Sequence, residues 1–173
     1  MNTGEKRRQR KREKKARKTA KRGQLERHSQ EQENFNINEA LNYALQRQSA
    51  GHLPEAKVVY HRILENDPSQ PIALHMLGVI AYQTGNKDLA VDLISKALVI
   101  SPKYAEAHYN YGIMLNELGK IDQAAESFKN ALDINPNYAE ANNNLGNVFR
   151  ERGELEKAAT CYHAAIATNS AYT

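Results

Sequence analysis

The sequence predicts an all-α protein: a right-handed α-solenoid of four helix–turn–helix repeats behind a disordered, basic N-terminal arm. The first observation is that glycine, alanine and proline recur in phase every 34 residues, the length of one helix–turn–helix repeat. The second is that the positive charge is concentrated at one end of the chain. The recurring residues are Gly51, Gly85, Gly119 and Gly153; Ala56, Ala90, Ala124 and Ala158; and Pro68, Pro102 and Pro136.

The basic arm is set apart by its charge. Residues 1–28 hold 13 Lys and Arg against 3 acidic residues, whereas residues 29–173 hold 11 against 17. Such a dense block of like charge cannot bury a core, so residues 1–34 are predicted to be a disordered arm. The arm can bind nucleic acid or an anionic surface by counterion release, contact the chain's own acidic repeats, or raise solubility. These alternatives stay open.

The repeats are predicted from helical spacing of the apolar residues. In each repeat, helix A is expected over about the first 14 positions and helix B over about positions 18–31. The predicted repeats are 37–70, 71–104, 105–138 and 139–172.

The recurring positions have physical roles. Glycine at position 15 is expected to cap helix A in the left-handed conformation, and proline at position 32 to end helix B. Small residues at position 8 and alanine at position 20 let helices approach closely, while positions 7 and 24 are expected to fill the core. These are Ala44, Gly78, Gly112 and Gly146 at position 8; Tyr43, Leu77, Tyr111 and Leu145 at position 7; and Tyr60, Ile94, Phe128 and Tyr162 at position 24.

These residues resemble the pattern of the tetratricopeptide repeat family. Repeat 3 matches best, through Tyr111-Gly112, Leu115, Ala124, Phe128, Ala131 and Pro136. Repeat 1 departs at Ala44 and Arg47, and repeat 4 has Ser170 in place of proline. The resemblance implies a protein-interaction scaffold in which helices A line a concave groove.

The groove is the candidate binding site for a partner protein or peptide. Asparagine stands at position 6 in three of the four repeats, and an amide can pair with both the N–H and the C=O of an extended peptide. This is similar to the asparagine ladder in the repeat arms of O-linked N-acetylglucosamine transferases. The alternative is that these asparagines are ordinary polar residues on a solvated helix face. The expected groove residues are Asn42, His75, Tyr82, Tyr109, Asn110, Asn116, Asn143, Asn144, Asn147 and Arg150.

The same resemblance leaves a second function open. The chain is alternatively a substrate-recruiting arm of a larger glycosyltransferase-type enzyme. The carboxylate clamp of chaperone-binding family members is not expected, because the matching positions carry no cation. Those positions are Leu41, Leu45, Met76, Glu106 and Asn110.

The sequence shows no catalytic, cofactor-binding or metal-binding motif, so no enzyme activity and no cofactor are expected. His75 and His108 are interpreted as polar residues on a helix face, and Cys161 as a small buried hydrophobe. A single cysteine excludes an internal disulfide. No apolar run is long enough to span a membrane and no secretory leader is present, so a cytoplasmic location is expected.

The last predicted helix carries an apolar face at Tyr162, Ala165 and Ile166 that a following repeat would normally cover. Three explanations stay open: the chain is a fragment, another chain covers the face, or the repeat is naturally uncapped. Self-association through this helix is therefore a prediction.

Overall fold

The computed structural model describes Arg17 and residues 35–170, with side chains described as far as residue 168. Contacts divide the chain into two compact units, Met1–Ala40 and Leu41–Thr173. In the first unit, the side chain of Asn36 accepts the backbone N–H of Asn38 at 3.1 Å where a helix begins. Apart from Arg17, the predicted basic arm of residues 1–34 lies outside the described residues.

Residues 35–170 fold into eight α-helices and no strand, the all-α solenoid fold that the sequence predicts. Within the second unit, α3 packs on α4, α5 on α6 and α7 on α8, and each pair also packs on the next. The helices are α1 Ile37–Ser49, α2 Leu53–Asn66, α3 Pro71–Gln83, α4 Lys87–Ile100, α5 Ala105–Glu117, α6 Ile121–Ile134, α7 Ala139–Glu151 and α8 Leu155–Ser170.

The turn after each helix A uses a glycine, as predicted. The four glycines at position 15 have φ between 73° and 85°, a region that strongly favours glycine. After α3, the N–H of Gly85 bonds to the carbonyl of Tyr82 at 3.0 Å, and that of Asn86 to Ala81 at 2.8 Å. These two bonds satisfy carbonyls at the end of the helix and turn the chain back toward α4.

Small residues at position 8 allow the two helices of a repeat to touch. A Cβ added to Gly112 would lie 2.6 Å from Phe128 Cε1, and one added to Gly78 would lie 2.6 Å from Ile94 Cγ1. Both separations are far below van der Waals contact, so the close approach depends on the missing side chain.

The residues at position 24, which are predicted to fill the core, are buried where a neighbouring repeat covers them. Tyr60, Ile94 and Phe128 are at most 1% exposed. Tyr111 packs against the apolar cluster around Ile94 and also against the cluster around Phe128, so it joins two repeats. The alanines at position 20 are buried in all four repeats: Ala56, Ala90, Ala124 and Ala158.

One core prediction is wrong, because Tyr43 is 47% exposed. A residue at position 7 packs against the helix pair of the repeat before its own, as Tyr111 packs against the apolar cluster around Ile94. No helix pair before α1 is included in the described residues, so nothing among them covers Tyr43 in that way. Its ring instead has the guanidinium of Arg47 5.6 Å from its centroid.

Between residues 35 and 170, none of the helices combines the length and the apolar character needed to cross a bilayer.

Candidate functional site

Two cavities open beside α5 and α7 and share one residue, Asn144. The first, here called the Tyr109 cavity, has a volume of about 500 Å³ and is lined by Tyr109, Ala139, Glu140, Asn143, Asn144, Tyr162, Ala165 and Ile166. The second, here called the Arg150 cavity, has a volume of about 300 Å³ and is lined by Ile113, Asn116, Glu117, Phe128, Asn144, Asn147, Arg150 and Glu151. Together they bring six of the ten predicted groove residues to one surface.

Two of the asparagines at position 6, Asn110 and Asn144, contact the preceding repeat. Asn144 Nδ2 donates to Tyr109 Oη at 3.3 Å, and Asn110 Nδ2 donates to a ring nitrogen of His75 at 2.8 Å. Both pairs are separated by 35 residues, so each bond joins position 6 of one repeat to position 5 of the repeat before it. These amides therefore stabilise the stacking of repeats in addition to any contact with a partner.

His75, which the sequence predicts as a polar helix-face residue of the groove, has a completely buried side chain. Its Nδ1 lies 2.9 Å from Tyr104 Oη, and the two rings meet edge to face at 4.8 Å between centroids. The Asn110 amide nitrogen can only donate, so His75 Nε2 accepts and Nδ1 carries the proton. Burial lowers the pKa of His75 to about 4, which keeps the imidazole neutral.

Tyr109 stands at the same position as His75 one repeat later. It also bonds to an asparagine and packs on a tyrosine ring, but it is only half-buried. Its ring lies 4.8 Å from the ring of Tyr138, which stands 34 residues after Tyr104. Burial raises the pKa of Tyr138 to about 12, and the carboxylate of Glu106 adds to the rise. Burial likewise raises the pKa of Tyr109, with Glu140 as the second cause. Glu106 and Glu140 therefore place negative charge beside this tyrosine pair.

Tyr82 does not line either cavity. Its hydroxyl donates to Glu117, which also accepts from Lys87 Nζ at 2.8 Å. These hydrogen bonds, from Lys87 first and Tyr82 second, lower the pKa of the Glu117 carboxyl. Desolvation is the largest cause that raises the pKa of Tyr82 to about 12. The cluster ties α5 to α3 and α4 at the rim of the Arg150 cavity.

Asn116, which lines the Arg150 cavity, has an unsatisfied acceptor. Oδ1 of Asn116 is buried with no hydrogen-bond partner among the described residues. Asn147 lines the same cavity, and its Oδ1 accepts from Tyr162 Oη at 2.8 Å. A buried acceptor without a donor is unfavourable, so Oδ1 of Asn116 lowers the stability of the fold.

Sequence reasoning assigned the groove to helices A alone and so missed three lining residues of α8: Tyr162, Ala165 and Ile166. In the sequence, the hydroxyl of Tyr162 is the signal that could have placed α8 in the wall of the cavity. Position 24 is otherwise an apolar plug, and a tyrosine hydroxyl there needs a polar partner. Tyr60, which stands at the same position, likewise donates to Gln48 at 3.0 Å.

The remaining predicted residues lie elsewhere. Asn42 is exposed on α1, and His108 Nε2 lies 2.9 Å from the carbonyl of Pro102. Cys161 is half-buried and packs against the cluster of Phe128, where burial raises the pKa of its thiol. Across the residues that the structure describes, no group of three or more His, Cys, Asp or Glu side chains could hold a metal ion.

Four family models match the chain, and all of them describe tetratricopeptide repeats. They cover residues 44–105, 93–126, 112–150 and 143–171. No curated protein matches the chain significantly.

Solved structures of MamA have a similar fold. One matches with a TM-score of 0.70 and 20% identity over 79% of this chain and 80% of its own. MamA AMB-1 matches with a TM-score of 0.63 and 25% identity over 80% and 75%. MamA from Desulfovibrio magneticus RS-1, from residue 41 to its end, matches with a TM-score of 0.68 and 16% identity over 80% and 78%.

Proposed function

Because this chain belongs to the tetratricopeptide repeat family of protein-interaction scaffolds, we propose that it binds an extended peptide segment of another protein along the Tyr109 and Arg150 cavities. Asn144 is the observation that carries this proposal, since its side chain lines both cavities. Its bond to Tyr109 uses one amide hydrogen and leaves the second hydrogen and Oδ1 available. Those two groups match the C=O and N–H of one extended peptide residue.

The walls of the two cavities supply side-chain pockets on either side of Asn144. Ala165 and Ile166 give the Tyr109 cavity an apolar wall, while Ile113 and Phe128 do the same for the Arg150 cavity. Side chains project alternately from an extended peptide, so a backbone held at Asn144 can place a side chain in a cavity. The amide then holds the backbone and the cavities select the sequence.

A crosslinking experiment tests the location of the site. A photoreactive residue is placed at Asn143, which is exposed and lines the Tyr109 cavity, in the full chain. The same residue placed at Glu126, exposed on α6, is the control. We expect crosslinks to a peptide segment of a partner from position 143 and none to that segment from position 126. Equal crosslinking from both positions would contradict the proposal.

The affinity of the crosslinked peptide segment then tests Asn144 itself. Replacing Asn144 with Ala removes both backbone bonds at about 1 kcal/mol each, so binding should weaken about tenfold or more. Asn66→Ala is the matched control, because Asn66 caps the end of α2 by donating to the carbonyl of Arg62 and lines neither cavity. Unchanged affinity of Asn144→Ala would show that the amide does not hold the peptide.

The alternative role as the recruiting arm of a glycosyltransferase-type enzyme stays a prediction, as does the cytoplasmic location. The crosslinking and affinity experiments do not depend on either of these predictions.

A further inference from the structure

The Tyr109 cavity combines three kinds of wall. Ala139, Ala165 and Ile166 supply aliphatic surface, Tyr109 and Tyr162 supply aromatic rings, and Glu140 with two amides supplies oxygen acceptors. All eight lining residues are accounted for by these groups, and none of them is basic. A ligand that fits this lining is aliphatic along its length and carries a positive charge with several donors at its tip.

We propose that the Tyr109 cavity binds the side chain of an arginine or lysine in the partner peptide, an inference that rests on the proposed groove function. The methylene stem of such a side chain packs on apolar surface while its head remains polar. The head can donate to the carboxylate of Glu140 and to the amide oxygens of Asn143 and Asn144, as charge-assisted hydrogen bonds. The tyrosine rings that line the cavity can add a cation–π contribution.

The charge around the cavity agrees with a cationic ligand. Glu140 and Glu106 both lie close enough to the Tyr109–Tyr138 ring pair to act on it electrostatically. Among the described side chains, the ion pairs of the repeats involve other acids, such as Glu117 and Asp92. The carboxylates of Glu106 and Glu140 are thus not neutralised by a described cation.

The Arg150 cavity differs and limits where a basic residue binds. It contains Arg150 together with Glu117 and Glu151, and Glu117 is already paired with Lys87 at 2.8 Å. A second cation there would meet the charge of Arg150. The groove should therefore select one basic residue at the Tyr109 cavity instead of a uniformly basic segment.

Citrulline, which has the shape of arginine without its charge, allows a direct test. Two labelled peptides of equal length, built from Ser and Ala with either arginine or citrulline at the centre, are titrated with the full chain by fluorescence anisotropy. An exposed ion pair is worth up to about 1 kcal/mol, so the arginine peptide should bind about fivefold more tightly at low salt. A peptide with lysine at the centre should likewise bind more tightly than the citrulline peptide.

Glu140→Gln should remove the preference for arginine, so that the arginine and citrulline peptides bind with equal affinity. Glu126 is also an exposed glutamate, lies on α6 and lines neither cavity, so Glu126→Gln should preserve the preference. Equal binding of the arginine and citrulline peptides to the unaltered chain would overturn the cation site and leave the groove function standing. Failure of both peptides to bind would also overturn the cation site, while the groove function is decided separately by the crosslinking experiment.

A second copy of this chain is the competing occupant of the cavity. Sedimentation run on the same samples identifies it, because a cavity filled by another copy would lose its peptide as the protein self-associates. Loss of arginine-peptide binding in step with self-association would therefore overturn the inference. A Kd for the arginine peptide that stays constant as the protein concentration rises would support the inference.

Discussion

The amide of Asn110 donates a hydrogen bond to the buried imidazole of His75 across 2.8 Å, and this bond joins two adjacent repeats. The other ring nitrogen of His75 is held by Tyr104 at 2.9 Å. Both nitrogens are thus satisfied only when the imidazole is neutral, since a proton on Nε2 would face the amide hydrogens. The stacking of these repeats therefore depends on the protonation state of one side chain.

This dependence predicts a loss of stability in mild acid. The folded-state pKa of His75 is lowered from its usual 6.5 to about 4, so the unfolded chain binds a proton first as the pH falls. The contribution of neutral His75 to the free energy of unfolding is complete above about pH 6.5 and is lost as the pH falls toward the folded pKa. Between pH 7 and pH 5 the free energy of unfolding should therefore decrease by about 2 kcal/mol. Urea unfolding at the two pH values measures the decline.

Two variants isolate the contribution of His75 to this decline. His75→Gln cannot titrate, so its stability at pH 7 should be lower but its change between pH 7 and pH 5 smaller than that of the unaltered chain. His108→Gln removes a histidine that is partly exposed, and it should keep the original change. An unaltered pH dependence in His75→Gln would show that other groups cause the decline.

Gly112→Ala should destabilise the third repeat. The added Cβ would lie 2.6 Å from Phe128 Cε1, and the ring is only 1% exposed and has little room to move. Overpacking of this kind costs about 1–3 kcal/mol. Thermal or urea unfolding measures the cost, with Gln123→Ala on the exposed face of α6 as the control. A variant as stable as the control would mean that the helix pair can widen.

The contrast between Gly112 and His75 shows what the sequence could predict. The close approach of helices at Gly112, and the positive φ of Gly85, follow from the residue type at its place in the repeat. Burial of His75 and exposure of Tyr43 do not, because both depend on which neighbouring repeat covers the side chain. Sequence alone could thus locate six cavity residues, while the share of α8 in the site required the packing of helices on one another.

Asn116→Leu should raise stability and weaken peptide binding. The variant removes the buried Oδ1 that has no partner among the described residues, which is worth about 1–2 kcal/mol. It also removes the amide group of a residue that lines the Arg150 cavity. Urea unfolding and titration with the crosslinked partner peptide measure the two effects on one sample. Lower stability would mean that the amide of Asn116 is satisfied in solution, for example by water.

Self-association through α8 remains a prediction that the structure makes more specific. Leu98 and Leu132 occupy the same repeat position as Ile166 and are half-buried, whereas Ile166 is 65% exposed. Burial of apolar surface favours association, so the sedimentation coefficient should rise with protein concentration. Ile166→Lys should reduce this rise, and Val58→Lys, a matched change of an exposed apolar residue on α2, should not. A sedimentation coefficient independent of concentration would contradict the prediction.

Asn110 and Asn144, which both bond to the preceding repeat, should contribute different amounts to the free energy of unfolding. Asn110→Ala leaves Nε2 of the fully buried His75 without its donor, which costs about 1–3 kcal/mol. Asn144→Ala removes a donor from the half-buried Tyr109, whose hydroxyl can bond to water instead, so its cost should be below about 1 kcal/mol. Urea unfolding at pH 7 compares the two variants. Equal losses would mean that both asparagines act mainly between repeats, and then weaker peptide binding by Asn144→Ala could not be assigned to a lost contact with the peptide.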